Sequence, residues 1–136
     1  MKKVIYFFLL VSFAGCDNDQ PDCSNIACTE IFKTIMVSIK DADENPVALD
    51  KFIVFDMNTG RDITREVSPA EYELMIQNGT YPLFGDEQLS NYINSKTTVN
   101  FKGFDDDKVI VNSVFTVGAD CCHVLLYEGE TEIIIN

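Results

Sequence analysis

Basic side chains are scarce in this sequence. Its 136 residues include 10 lysines and arginines against 22 aspartates and glutamates, which gives a net charge of -12. The sequence contains no cluster of basic residues, and so acidic a chain repels the phosphate backbone of nucleic acids. Nucleic acid is therefore excluded as a partner.

Motifs that mark common enzyme sites are also missing. The chain contains no G-x-S-x-G, no glycine-rich phosphate loop and no C-x-x-C pair, which are typical of serine hydrolases, nucleotide-binding enzymes and thiol oxidoreductases. His123 is the only histidine, so any histidine-dependent chemistry would need it. We therefore expect a chain that is not an enzyme and has no cofactor.

Long hydrophobic runs are limited to the N-terminus. Lys2 and Lys3 precede an apolar run over 4–14, which is too short to span a bilayer as a stable helix. Ala14 and Gly15 are followed at once by Cys16, and this ending resembles the bacterial lipobox. The alternative is a buried N-terminal strand or helix with an incidental cysteine.

The lipobox resemblance implies a lipoprotein precursor. Residues 1–15 would be a signal peptide, and Cys16 would carry diacylglycerol and fatty acyl chains such as palmitate, which anchor the mature chain in a membrane. Loss of Lys2 and Lys3 would change the net charge from -12 to -14. We expect residues 16–29 to form an acidic tether, similar to the export signals of Bacteroidetes surface lipoproteins, and the protein to lie in the cell envelope at the outer membrane.

Four further cysteines suggest cross-links in the exported domain. They form one pair before the first apolar strand, Cys23 and Cys28, and one near the C-terminus, Cys121 and Cys122. We predict that each N-terminal cysteine bonds one of the C-terminal two, because a bond between neighbours forms a strained ring. Each such bond would stabilise the fold by about 4 kcal/mol through loop entropy. The alternatives are a metal site with His123 and free thiols.

Strand patterns dominate the remaining chain. Ile35, Val37 and Ile39 alternate with polar residues, which indicates a strand with one buried face. Similar patterns predict further strands over 51–57, 97–101 and 108–117, and a terminal hairpin of 121–127 with 132–135 around Gly129.

One segment has helical character instead. Ser68 and Glu71 form a capping box with Pro69 at the first helical position, and Asn78-Gly79 provides a stop signal, so we predict a helix over 69–77. Residues 86–94 fit either a loop or a short helical turn. We therefore expect residues 30–136 to form one mostly β domain, an antiparallel sandwich of about seven strands, with this helix in a central insertion between 60 and 95.

Two stretches carry a resemblance to a known family. Residues 37–56, VSIKDADENPVALDKFIVFD, look like the opening of carboxypeptidase regulatory-like domains, and residues 109–129 look like the closing strands of Bacteroidetes lipoproteins with that prealbumin-like sandwich. The chain departs from the pattern at Asn45, where glycine is usual. The resemblance implies a non-catalytic structural or binding module.

Acidic turns are weak candidates for metal binding. Asp41, Asp43 and Asn45 are spaced like the start of a calcium loop, but Pro46 and Phe52 replace the glycine and the glutamate that such a loop needs. Residues 105–107 are three consecutive aspartates at a predicted hairpin tip. We interpret both as solvated turns and predict no metal site.

Aromatic residues offer a possible binding surface. Exposed rings could stack on sugars or dock a protein, whereas the alternative is that they cover an edge of the core. The candidate surface comprises Tyr72, Tyr81, Phe84, Tyr92, His123 and Tyr127.

Together these features predict a lipid-anchored accessory module of the cell envelope, structural or ligand-binding. A protein partner is favoured over a glycan. The alternative is a small envelope hydrolase or metal-dependent enzyme that uses His123 and the acidic loops.

Overall fold

Alternating burial identifies the first strand, β1 (Thr34–Lys40). Ile35, Val37 and Ile39 face the core, and the residues between them, Met36 and Ser38, are half-buried. The computed structural model of the chain describes residues 22–136. The predicted signal peptide and Cys16 lie outside the described residues.

Two sheets form a mostly β sandwich, as predicted, but with eight strands. One sheet has the order β4-β1-β8 and the other has the order β3-β2-β5-β6-β7. Apolar side chains from both sheets form one buried cluster. The further strands are β2 (Lys51–Asp56), β3 (Arg61–Asp62), β4 (Thr80–Gly85), β5 (Ser95–Asp105), β6 (Lys108–Ala119), β7 (Val124–Glu128) and β8 (Glu132–Ile134).

The predicted helix is confirmed as α1 (Pro69–Asn78). Ser68 Oγ accepts the amide of Glu71 at 3.3 Å, and the Glu71 carboxylate accepts the amide of Ser68 at 2.8 Å. Gly79 ends the helix with φ 61°, and a Cβ there would lie 2.6 Å from the Ile39 carbonyl oxygen. The stop residue therefore also permits the close approach of the chain to β1.

Residues 86–94 contain short helical turns, which was one of the two interpretations. A single 3₁₀ turn (Asp86–Gln88) leads into α2 (Leu89–Tyr92), and another 3₁₀ turn lies at Cys23–Asn25. Within residues 22–136, every helix is too short and too polar to cross a membrane.

The predicted terminal hairpin is wrong. β7 pairs with β6 in the larger sheet, whereas β8 crosses to the other sheet and pairs in parallel with β1. The crossing occurs at Gly129, whose φ of 115° brings the backbone so close to Phe115 that a Cβ would lie 2.4 Å from its ring. The change of sheet allows Ile133 and Ile135 to pack on the core.

The expected insertion between 60 and 95 contains a strand that the sequence pattern did not predict. β4 pairs antiparallel with β1, with an irregularity between Ile35 and Met36. Tyr81, Pro82, Leu83 and Phe84 are all buried, so the alternation that predicts a strand is missing. Pro82 is tolerated because β4 lies at the edge of its sheet.

Half of the proposed aromatic surface is core. Tyr81, Phe84 and Tyr92 are at most 7% exposed, so the binding-surface interpretation is wrong for these three and the core alternative holds. Their apolar area fills the space between the sheets, and the Tyr81 hydroxyl is bonded to Leu49 N at 2.8 Å and Val47 O at 3.0 Å. Tyr72 is half-buried and stacks on Phe52.

A buried carboxylate fastens one end of the sandwich. Asp56 is fully buried and accepts hydrogen bonds from Tyr92 Oη at 2.5 Å, from Thr97 Oγ1 at 2.8 Å and from the amides of Asn58 and Thr59. Burial opposes ionisation, but these four donors outweigh it and hold the pKa of Asp56 below its ordinary value of 3.8. Burial and the bond to Asp56 together raise the pKa of Tyr92 to about 12.

We predict that Asp56→Ala lowers the free energy of unfolding by about 3 kcal/mol, because it leaves buried donors without an acceptor. Tyr92→Phe removes one donor and should cost about 1 kcal/mol. Urea unfolding followed by circular dichroism measures both. Asp43→Ala, an exposed carboxylate, is the control and should be nearly neutral.

The same contact predicts a pH dependence. Because the pKa of Asp56 is lower in the folded chain than in the unfolded chain, its stabilisation is complete above the unfolded value and is lost as pH falls through the folded value. The difference in stability between the natural chain and Asp56→Ala should therefore shrink in acid. A difference that grows in acid would contradict the assignment.

Candidate functional site

The segment that enters the domain is fastened to it covalently. Residues 22–33, which we call the strap, precede β1 and include no buried residue. Disulfides join Cys23 to Cys121 and Cys28 to Cys122. The predicted pairing of each N-terminal cysteine with a C-terminal one is thus confirmed. Residues 22–29, which were assigned to the tether, are attached to the domain.

The turn that receives both disulfides is held by one carboxylate. Cys121, Cys122 and His123 lie between β6 and β7, not on the strand predicted over 121–127. Asp120 Oδ1 accepts the amides of Cys122 at 2.7 Å and His123 at 2.8 Å. The amide of His123, then that of Cys122, lowers the pKa of Asp120 despite partial desolvation.

His123 connects this turn to the strap. Its Nε2 lies 2.9 Å from Thr29 Oγ1, and its Nδ1 lies 2.8 Å from Asp86 Oδ2. The imidazole therefore bridges the strap, the turn after β6 and the turn after β4. The structure places His123 in a network of hydrogen bonds.

Asp86 is the centre of this network. Besides His123, it accepts the amides of Lys33 at 2.8 Å and Val124 at 2.9 Å, and its own amide donates to the Lys33 carbonyl at 2.9 Å. Its side chain is only 9% exposed. Burial opposes ionisation, but the bonds from His123, Lys33 and Val124 outweigh burial and lower the pKa of Asp86.

Sequence reasoning did not single out Asp86 or Thr29. Their partner lies 37 and 94 positions away along the chain, so no local pattern connects them. The available signal was weak: Asp86 follows an apolar run and a glycine, where a carboxylate often caps a turn.

The order of groups has a chemical precedent. A carboxylate, an imidazole and a hydroxyl in sequence are the arrangement that activates serine in many hydrolases. Here the hydroxyl belongs to Thr29, which is exposed and adjacent to a disulfide-bonded cysteine. Asp86 also satisfies two backbone amides. These additional hydrogen bonds favour a structural role, in which Asp86 acts as a clamp that holds the strap against the domain.

Carboxylates in the acidic turns accept hydrogen bonds from nearby backbone amides. Asp50, Asp105 and Asp106 could bring oxygen atoms together, but all three are exposed and Asp50 accepts the amide of Asp106 at 2.8 Å. Asp41 accepts the amides of Asp43 and Asn45. This geometry matches the solvated-turn interpretation. The metal alternative for the cysteines is wrong, since both pairs are disulfides and provide no thiolate ligand.

Comparison of the chain with protein-family models, with curated proteins and with solved structures found no match. The likeness to carboxypeptidase regulatory-like domains therefore depends on the residues of the sequence itself.

The two disulfides interleave along the chain and close nearly the same loop, which predicts that the effects of removing them are not additive. Either one alone closes a loop of 98 or 94 residues, which destabilises the unfolded chain by about 4–5 kcal/mol. Once either disulfide has formed, the second closes a small loop that consists only of the 5 positions from 23 to 28 and the 1 from 121 to 122. The second disulfide therefore adds only about 2 kcal/mol to the free energy of unfolding.

We therefore expect that Cys23→Ser with Cys121→Ser costs about 2 kcal/mol, and that Cys28→Ser with Cys122→Ser costs about the same. Removal of all four should cost about 7 kcal/mol. Urea unfolding under non-reducing conditions measures each. Additive losses, in which the fourfold variant loses only twice the amount of either pair, would contradict the closure of one shared loop.

Proposed function

We propose that the chain is the precursor of a lipid-anchored, non-catalytic accessory module of the cell envelope, with the anchor on Cys16. The strap is the observation that carries this proposal. Asp22 follows Cys16 by six positions, and Cys23 is bonded to the far end of the chain. The domain is therefore cross-linked at the point where a force from the proposed anchor would act on it.

The position of the bonds suits a tether under tension. A pull from the membrane reaches Cys23 and passes through the disulfide to Cys121, two residues beyond β6. β6 pairs with β5 along almost its whole length and with β7 on its other side. Without these bonds the pull would act on β1 and could peel it from β4. With the disulfides in place, the force acts on the larger sheet.

Cross-linking also supports an exported location. Disulfides persist in oxidising compartments and are rare where cytosolic reductants act. Both pairs lie at the accessible end of the fold, since the strap contains no buried residue. Export followed by oxidation accounts for four of the five cysteines, and acylation accounts for Cys16.

A protein partner is supported better than a glycan. Sugar recognition uses exposed ring faces, but three of the candidate rings are buried and Lys96 Nζ lies 3.8 Å above the Tyr127 ring. The hollow beside α1 is lined mainly by aliphatic groups of Met36, Leu74 and Met75. Aliphatic surface of this kind suits another polypeptide.

Acylation is tested on the protein from its native host. We expect mass spectrometry of the mature protein to find a chain that begins at Cys16 and carries diacylglycerol. Cys16→Ser should abolish the modification, whereas Cys28→Ser, the control, should retain it. A protein that kept Met1 and carried no fatty acid would overturn the proposal.

The hydrogen-bonded series of Thr29, His123 and Asp86 favours a second candidate, a small hydrolase. The two functions differ in what Thr29→Val does. If Thr29 is a nucleophile, the variant loses ester hydrolysis and keeps its stability.

As a clamp, Thr29 contributes about 1 kcal/mol to stability and nothing to turnover. We expect the natural chain to hydrolyse p-nitrophenyl acetate no faster than Thr29→Val does, and the variant to unfold at lower urea. Ser24→Ala, also in the strap, is the control. Turnover that depends on Thr29 would support the hydrolase.

A further inference from the structure

The outer face of the larger sheet exposes apolar side chains from two of its strands. Phe55, Met57 and Val114 are 41%, 56% and 53% exposed. Phe55 lies opposite Asn100, which lies opposite Val114, so the three strands β2, β5 and β6 contribute to one row. Met57 continues β2 and donates its amide to Thr98. We call this surface the outer face.

The same face is locally basic in an acidic protein. Lys51, Lys96 and Lys102 are exposed and alternate with buried residues of β2 and β5, so they point away from the core. The acidic residues on this face are Asp62, which lies opposite Phe55, and Glu128 on β7, to which Thr116 donates a hydrogen bond. The face therefore has three lysines against two carboxylates, whereas the whole chain has 22 acidic against 10 basic residues.

Tyr127 completes the face at one end. Lys96 lies over its ring, and both lie beside Gly118, where a Cβ would be 3.1 Å from the Tyr127 ring. Tyrosine and lysine each combine an apolar body with a polar end, which is the composition that suits the boundary between water and lipid.

The chain leaves the domain at this same end. Asp22, Cys23 and Ser95 line one hollow, and Ser95 precedes Lys96. Six positions separate Asp22 from Cys16, so even a fully extended chain places the sulfur of Cys16 within about 22 Å of Asp22. A bilayer that holds Cys16 must therefore lie close to the Lys96 end of the outer face.

We propose that the outer face docks on the anionic headgroups of the membrane that holds the anchor. This inference depends on the proposed acylation of Cys16. Lysines attract an anionic surface weakly, and the short tether makes docking intramolecular, so weak attraction suffices. The acidic tip of the β5–β6 hairpin, residues 105–107, lies at the end of these strands far from Lys96 and next to Lys51, so the face docks with its Lys96 end closest to the membrane.

The chain contains no tryptophan, so a single one reports on its surroundings. Phe55→Trp places the reporter on the outer face, and Leu74→Trp places the matched control beside Met36 on the other side of the sandwich. The oxidised chain from residue 16 onward is coupled through the Cys16 thiol to a maleimide phospholipid. The vesicles contain equal parts of phosphatidylcholine and phosphatidylglycerol with brominated acyl chains, which quench nearby tryptophan.

We expect quenching of Phe55→Trp to be several-fold stronger than that of Leu74→Trp. It should weaken with added salt and in pure phosphatidylcholine, because the attraction is electrostatic. Lys96→Glu with Lys102→Glu should abolish it, whereas Lys33→Glu with Lys40→Glu, an equal change of charge outside this face, should leave it in place.

Equal quenching of the two reporters, or stronger quenching of Leu74→Trp, would overturn the inference. A blue shift of Phe55→Trp that rises with protein concentration and needs no vesicles would overturn it in favour of a second copy. Because the lipid is attached chemically in this experiment, the result does not depend on acylation in the host. Docking and acylation are therefore tested separately, and either one can fail while the other succeeds.

Discussion

Covalent closure of the N-terminal strap onto the turn after β6 is the constraint on which the other features depend. Two disulfides link segments that are 98 and 94 positions apart, so the point of entry into the domain and the end of its longest strand become one unit. A domain of about 110 residues buries a limited core. Cross-links that reduce the freedom of the unfolded chain are therefore a large share of its stability.

Polar contacts extend this closure into the sandwich. Asp86 holds the end of the strap, the start of β7 and His123 at once. Asp56 performs a comparable task for α2 and the turn after β2. In both cases burial of the carboxylate is compensated by several donors, so each ionised group acts as a rigid connector. The strap and the Lys96 end of the outer face then lie at one end of the molecule, with the acidic hairpin tip at the other.

Sequence patterns predicted the parts of the fold that depend on interactions between residues close together in the chain. The alternation of β1 and the capping box at Ser68 depend on neighbours in the chain, and both were predicted correctly. β4 escaped prediction because its consecutive residues are buried and lack alternation. The partner of β8 depends on which sheet edge remains open. The network around Asp86 joins residues that only the tertiary fold brings together, so the sequence identified His123 without its role.

The most direct test of the account is a map of the disulfides in the unreduced protein from its native host. Proteolysis followed by electron-transfer mass spectrometry can separate the adjacent Cys121 and Cys122 by fragmentation between them. We predict Cys23 bonded to Cys121 and Cys28 bonded to Cys122 in one acylated chain. A bond between Cys121 and Cys122, the exchanged pairing, or reduced thiols in the exported protein would contradict the closure from which the rest follows.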